Sequence, residues 1–156
     1  MIKKYYGYYN SPIGILEIIT SDNAVISVMF LEEGKENTEE PPILKEVIKQ
    51  FDEYFRGTRK DFDIKCEITG TEFQKKVWKV LMKIPYGVTL SYKQIAIAIG
   101  NEKATRAVGN ANGKNIISII IPCHRVIGSD KSLTGYAGGL NRKKWLLEHE
   151  QEILEK

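Results

Sequence analysis

The rhythm of apolar and polar positions along this chain changes near its middle. Residues 5–9, 15–20 and 24–31 are rich in aromatic and β-branched side chains, with Asn10-Ser11-Pro12 and Ser21-Asp22-Asn23 between them. Gaps this short, filled with turn residues, predict an antiparallel meander of three strands. Residues 32–42 hold five glutamates and two prolines and read as an exposed loop. Ile43, Leu44, Val47, Ile48, Phe51 and Phe55 then recur at helical spacing. They predict an amphipathic helix over 43–55, stopped by Arg56-Gly57-Thr58. Residues 61–66 read as a short strand or an extended linker.

Beyond Thr71 the period is mostly helical. Thr71 is placed to cap a helix over 71–84, with Phe73, Val77 and Leu81 on one face and Pro85-Tyr86-Gly87 at its end. Ser91 caps a short helix over 92–99, which Gly100-Asn101 closes, and a further helix follows over about 103–112. Two short helices joined by a tight glycine-containing turn have the size of a helix-turn-helix. The run 116–121 is almost purely apolar and reads as a buried strand leading into Pro122-Cys123-His124-Arg125. Gly135-Tyr136-Ala137-Gly138-Gly139 is a tight loop before a final amphipathic helix over 142–154. The expected fold class is α/β (α+β): a small sheet-plus-helix domain over 1–68 and a mainly helical domain over 69–156.

Composition narrows the function classes. With 42% hydrophobic and 28% charged residues the chain reads as an ordinary soluble globular protein. A net charge of +3 permits a nucleic-acid partner without pointing to one. No run approaches the roughly 18 apolar residues of a membrane span, and Ile2-Lys3-Lys4 is not followed by a signal-peptide core. A cytoplasmic protein with no membrane partner is expected. Two cysteines and two histidines, with neither C-x-x-C nor H-x-x-x-H, give no zinc pattern and no redox motif, so no metal is expected. Cys66 reads as a small core residue.

Cys123 is different. Behind a buried apolar run and a proline, followed by an imidazole and a guanidinium, a thiol is held rigidly in a setting that can favour its thiolate, the nucleophilic form. A buried free cysteine of no chemical consequence fits these four residues about as well. The helix over 103–112 carries Ala104, Ala107, Gly109 and Ala111 around Arg106. Small residues let backbone approach a second surface such as DNA, but packing against the neighbouring helix accounts for them better, since many two-helix turns bind nothing.

Taken in order, these segments resemble the O6-alkylguanine-DNA alkyltransferases, also called methylated-DNA–protein-cysteine methyltransferases. The resemblance is carried by Ile121-Pro122-Cys123-His124-Arg125-Val126-Ile127-Gly128-Ser129, by Phe73-Gln74-Lys75-Lys76-Val77-Trp78, and by Ile84-Pro85-Tyr86-Gly87 through Ser91-Tyr92. Lys103-Ala104-Thr105-Arg106-Ala107-Val108-Gly109, Gly135-Tyr136-Ala137-Gly138-Gly139-Leu140 and Trp145-Leu146-Leu147-Glu148-His149-Glu150 complete it. It implies a ribonuclease-H-like N-terminal domain and a C-terminal domain bearing the reactive cysteine. It implies transfer of an alkyl group from O6-alkylguanine in double-stranded DNA irreversibly onto Cys123, and leaves open whether O4-alkylthymine is a substrate as well. One molecule would repair one lesion, as a monomer and without a cofactor, because the substrate brings the alkyl group.

The resemblance also assigns roles. His124 takes the thiol proton through a bridging water, Glu150 orients the imidazole, and Tyr92 donates a hydrogen bond to the departing base. Arg106 fills the gap left by the flipped nucleotide. It stands with Thr105, Ala107, Gly109 and Arg125 as the DNA-facing set. Asn115 holds the loop before the cysteine, and Tyr136, Ala137 and Gly138 wall the alkyl pocket. The chain departs from the family's usual pattern at Ile116, where a proline often stands, and at Ala137, where a serine often offers a side-chain donor. Two rival classes remain: a non-catalytic lesion-binding protein, against which Cys123 argues, and a transcriptional regulator. A recognition helix of small residues disfavours the regulator, since major-groove readers need long polar side chains.

Overall fold

The computed structural model describes residues 2–156 and divides the chain into two compact units, one ending at Ile68 and the other beginning at Thr69. The first unit is a meander of β1 (Tyr5–Ser11), β2 (Gly14–Thr20) and β3 (Val25–Leu31), antiparallel in the order β1-β2-β3. Tyr5 faces Thr20 and Ile15 faces Leu31 across the sheet. On β2 the alternate residues Leu16, Ile18 and Thr20 are buried, the period-two pattern of a sheet with one covered face. The cover is α1 (Pro42–Arg56), which buries Leu44, Val47, Phe51, Tyr54 and Phe55. Pro42 stands in its first turn, where a missing N–H costs nothing, so the helix starts one residue earlier than the apolar period suggests. Gly57 ends it in the left-handed region at φ 82°. A methyl on Gly7 would meet Leu44 Cδ1 at 2.9 Å, so α1 lies on β1 as closely as a glycine permits. The 61–66 segment contributes a single parallel bridge from Cys66 to Val25. Gln50, buried within the apolar face of α1, is satisfied by both backbone groups of Asp63, at 3.0 and 2.9 Å.

The second unit is built on four helices. The first, α2 (Glu72–Leu81), opens with a reciprocal capping box between Thr71 and Gln74. It ends three residues before the sequence suggests, because Lys83 and Ile84 bond three residues back, to Val80 and Leu81, and Pro85 then blocks continuation. The next, α3 (Tyr92–Ala98), repeats the capping box with Ser91 and Gln94. A short 3-10 turn at Glu102–Ala104 leads into α4 (Thr105–Gly113), and α5 spans Leu140–Leu154. Two strands of two residues each, β4 (Leu90–Ser91) and β5 (Val126–Ile127), pair in parallel and carry no periodic signal at that length. Val77, Trp78, Leu81, Ile95, Val108, Ala111 and Leu146 form the core, and Trp78 Nε1 donates to the Ala111 carbonyl at 2.9 Å.

The 116–121 run is not the buried strand expected. It is an irregular loop in which Ile117, Ile119 and Ile121 are buried while Ile116 is 39% exposed. Ile119 sits at φ 73°, a region a β-branched side chain rarely enters, and the run holds isolated bridges, one of them joining Ser118 to Ile121, rather than a strand. The isoleucines alternate toward the core as a strand's would, but the chain turns too sharply at Ile119 to pair. No helix among the described residues is long and apolar enough to cross a membrane.

Candidate active site

The second unit gathers its candidate site side chains where the loop after α4 meets α5. Pro122, at φ −81° and ψ 61°, makes an inverse γ-turn that brings Cys123 N to the Ile121 carbonyl at 2.7 Å. Cys123–Arg125 then form one 3-10 turn, so three consecutive side chains fan out from a rigid stem. Cys123 is 2% exposed. The Asn115 Nδ2 group donates to Cys123 Sγ at 3.2 Å and to the Ile121 and Ile117 carbonyls at 2.9 and 3.3 Å, while its Oδ1 accepts from Ile117 N at 2.9 Å. One asparagine therefore pins the loop at both ends and touches the sulfur. Burial pushes the Cys123 thiol up to about 11, against the opposing pull of the Asn115 amide and the Lys143 charge.

His124 and Glu150 are both fully buried, and His124 Nε2 meets Glu150 Oε2 at 2.8 Å. Arg125 completes the cluster. Its Nε donates to Oε1 at 2.9 Å, its Nη2 to Oε2 at 3.0 Å, and its Nη1 to the Ile84 carbonyl at 2.8 Å. Gly87 N adds a fourth donor to the same carboxylate at 3.1 Å. Burial alone would raise the Glu150 carboxyl, but His124 and Arg125 overcome it and hold it well below the usual carboxylate range. Burial also lowers the His124 imidazole, outweighing the attraction of Glu150. The state that follows is an ionised Glu150 taking the Nε2–H of a neutral imidazole, which leaves Nδ1 as the acceptor. That nitrogen is buried without a hydrogen-bond partner among the described residues.

Arg125 is the one residue of the expected site whose place the structure contradicts. The motif resemblance sets it with the DNA-facing residues, yet it is 6% exposed with its guanidinium spent on Glu150 and Ile84, so it cannot reach a phosphate. Its neighbour in the motif is a nucleophile candidate, and nothing in local spacing reveals that the arginine turns inward to a carboxylate on α5. The other members of that set divide along α4. Arg106 and Ala107 are exposed, Thr105 and Gly109 half-buried, and Thr105 Oγ1 donates to Glu102 O at 3.2 Å. The opposite face of the same helix buries Val108, Ala111 and Asn112.

Tyr92, the first residue of α3, reaches across to the 134–136 loop and donates its hydroxyl to the Thr134 carbonyl at 2.8 Å. A methyl on Gly135 would lie 2.8 Å from the Tyr92 hydroxyl oxygen, and the residue sits at φ 65°, so both the space and the backbone favour glycine there. Tyr136 is buried, and burial first, then the neighbouring sulfur, raise its phenol. Ala137 is exposed and Gly138 half-buried, with the Gly138 carbonyl accepting from Arg142 Nη1 at 3.1 Å.

Sequence pattern alone does not single out Lys143. It is fully buried, donates Nζ to the carbonyls of Val126 and Thr134, and lies 5.8 Å from the centre of the Tyr92 ring. A signal exists: Lys143, Leu146 and Glu150 fall on one helical stripe, and charged residues on an apolar stripe need partners. Burial pushes the Lys143 ammonium down to about 8 from an ordinary 10.5. Between those values the unfolded chain holds a proton that the folded chain has shed, so stability rises with pH across the window. Urea unfolding of wild type and Lys143→Met should diverge accordingly. The wild type gains on the variant by up to about 3 kcal/mol between the two pKa values, and a constant difference would show that the lysine titrates normally.

The chain's relatives fit this geometry. Residues 4–68 match the family model of the 6-O-methylguanine DNA methyltransferase ribonuclease-like domain, and residues 72–152 that of the same family's DNA binding domain. A methylated-DNA–protein-cysteine methyltransferase of Methanosarcina barkeri is 46% identical over 157 residues, covering 96% of this chain and 99% of the relative. The crystal structure of Mycobacterium tuberculosis O6-methylguanine methyltransferase superposes with a TM-score of 0.88 at 44% identity, over 96% of this chain and 94% of that one. The same bacterium's OGT in complex with DNA gives 0.87 at 44% identity, over 95% and 93% of the two chains. The chain belongs to the 6-O-methylguanine DNA methyltransferase family.

Proposed function

We propose that this protein repairs alkylated double-stranded DNA by moving the alkyl group from guanine O6 onto Cys123, irreversibly and once per molecule. The observation that carries the reading is the buried cluster that begins one residue after Cys123: an ionised Glu150 held by Arg125, a neutral His124 oriented by Glu150, and Nδ1 left as a base. Cys123 Sγ attacks the alkyl carbon as the C–O6 bond breaks, and the electron pair of that bond goes to the guanine. The thiol proton passes to His124 through a water, and the departing guanine anion takes a proton from solvent. Glu150 stabilises the resulting imidazolium, which is the role of the acid in a nucleophile–base–acid series.

Guanine O6 is hidden in the duplex stack, so the nucleotide must leave it. Arg106, exposed on the outer face of α4, is placed to fill the gap, with Thr105, Ala107 and Gly109 allowing the helix to lie close to the backbone. Tyr92 must turn its hydroxyl from the Thr134 carbonyl to the base, where donation offsets the developing negative charge. Tyr136, Ala137 and Gly138 bound the alkyl site, and Asn115 keeps the sulfur aimed at it. The protein acts as a monomer in the cytoplasm and needs no cofactor, since the substrate supplies the alkyl group.

The test is a short duplex with one O6-methylguanine, followed by intact-protein mass measurement and peptide mapping. A gain of one methyl group confined to the peptide that contains Cys123 is expected. Tight binding to the lesion with no gain of mass would make the protein a lesion sensor instead.

A further inference from the structure

The tyrosine-rich run at the start of the first unit forms a strand with one unpaired side. β1 lies at the edge of the sheet, next to β2 alone. The backbone groups of Tyr6 and Tyr8 point away from β2, as those of alternate residues in an antiparallel pair do. Such a row of N–H and C=O groups is a template for another strand, and proteins guard it with a lysine, a proline, a bulge or a cover. Tyr5-Tyr6-Gly7-Tyr8-Tyr9-Asn10-Ser11 holds no charge and no proline, and it pairs with β2 in unbroken register. An aromatic, uncharged strand of this kind is well suited to pairing with a copy of itself.

The guard on β1 is a cover, and it comes from the polar loop between β3 and α1. Thr38 stands where a partner strand's residue would. Its N–H donates to the Tyr6 carbonyl at 3.0 Å, and its Oγ1 accepts from Tyr6 N at 2.8 Å. Asn37 Oδ1 accepts from Tyr8 N at 3.0 Å. The Asn37 Nδ2 group donates to Glu40 Oε1, and a carboxylate oxygen can only accept, so Glu40 keeps the amide oxygen turned toward β1. Side-chain oxygens replace backbone carbonyls, which lets an exposed loop without strand geometry satisfy the edge. Glu36 and Glu40 travel with this strap, so two covered edges that approached each other would also bring like charges together.

We propose that the Asn37–Thr38 strap keeps this protein monomeric by occupying the edge of β1, which is otherwise a pairing surface for β1 of a second copy. The proposal concerns the first unit and does not depend on the alkyl-transfer reading. With the strap displaced, two β1 edges can meet antiparallel about a two-fold axis at Tyr8. Tyr6 of each copy then stands opposite Asn10 of the other, and the outward N–H and C=O groups pair across the axis. The same surface meets itself, so the contact closes at two copies.

Asn37→Ala combined with Thr38→Val removes both side-chain oxygens from the edge, and sedimentation velocity with residue-resolved amide exchange reads the result. In dilute solution the Tyr6 and Tyr8 amides should exchange about two- to tenfold faster in the variant than in wild type, the worth of one hydrogen bond each. As concentration rises, the variant should double in mass and the two amides should regain protection, while wild type stays a monomer. Adding Asn10→Pro removes one outward N–H, a change that the free side of an edge strand tolerates, and should return the variant to a monomer. Thr38→Val alone, which takes one hydroxyl from an exposed position, gives a weaker form of the same result if the double variant does not fold. A variant that stays monomeric at every concentration overturns the proposal, as does a wild type that self-associates as readily. A dimer that survives Asn10→Pro also overturns it, because the contact then lies elsewhere. So do Tyr6 and Tyr8 amides that exchange at the wild-type rate, because the strap is then not what holds the edge.

Discussion

Glu150→Gln is expected to lower the free energy of unfolding by about 3–5 kcal/mol, the cost of breaking a buried ion pair from one side. The carboxylate accepts from four donors: His124 Nε2, Arg125 Nε and Nη2, and Gly87 N. A glutamine replaces one oxygen with an NH2, so one end of the amide must point N–H at N–H. Arg125, 6% exposed, keeps its charge and loses the counter-charge. The urea midpoint at neutral pH reads the effect. Adding Arg125→Met to the glutamine variant should recover much of the loss, because the unpaired charge goes with it. A shift below about 1 kcal/mol would mean that water reaches Arg125 and the cluster is not sealed.

The same residue governs acid stability. Glu150 is held below its unfolded value, so its contribution is complete above about pH 4.3 and fades as pH falls through the folded pKa. His124 is lowered as well. Below about pH 6.5 the unfolded imidazole takes a proton that the folded one refuses, and stability falls there too. Acidification should weaken the wild type in two stages, and Glu150→Gln should keep the upper one and lose most of the lower.

Much of this architecture is legible in local pattern, and the exceptions share a cause. Capping boxes at Thr71/Gln74 and Ser91/Gln94 mark the starts of α2 and α3 within the chain itself. The meander is legible for the same reason: alternation and turn residues lie within a few positions of each other. What local pattern misses is set by partners distant in sequence. Arg125 reads as a free positive charge beside Cys123 until α5 delivers Glu150 to it, 25 residues away. Lys143 looks like one of several surface lysines until the Val126 and Thr134 carbonyls close on it. The 116–121 run has a strand's composition, but Asn115 and the turn at Ile119 bend it into a loop tied to Cys123 Sγ. The site is where local preference yields to tertiary demand, as expected where a chain must hold a reactive group in place.

His124→Ala tests the chemistry rather than the fold, since it leaves the Glu150–Arg125 pair intact. The Cys123 thiol, pushed up to about 11, is ionised in only about one molecule in ten thousand at pH 7. A buried thiol this reluctant needs a base at hand, and a positioned general base contributes about 10^2- to 10^4-fold. The single-turnover rate of methyl transfer is expected to fall by that factor at neutral pH. The deficit should then shrink as pH rises toward the thiol's own pKa, because solvent hydroxide supplies the ionisation that the imidazole no longer does. Wild type, with a neutral imidazole from below pH 7 upward, should show the flatter profile. Each rate is measured on a duplex at saturating concentration, so that loss of binding does not enter. A deficit that stays constant up to pH 10 would assign His124 to positioning alone, with the proton leaving Cys123 by another route.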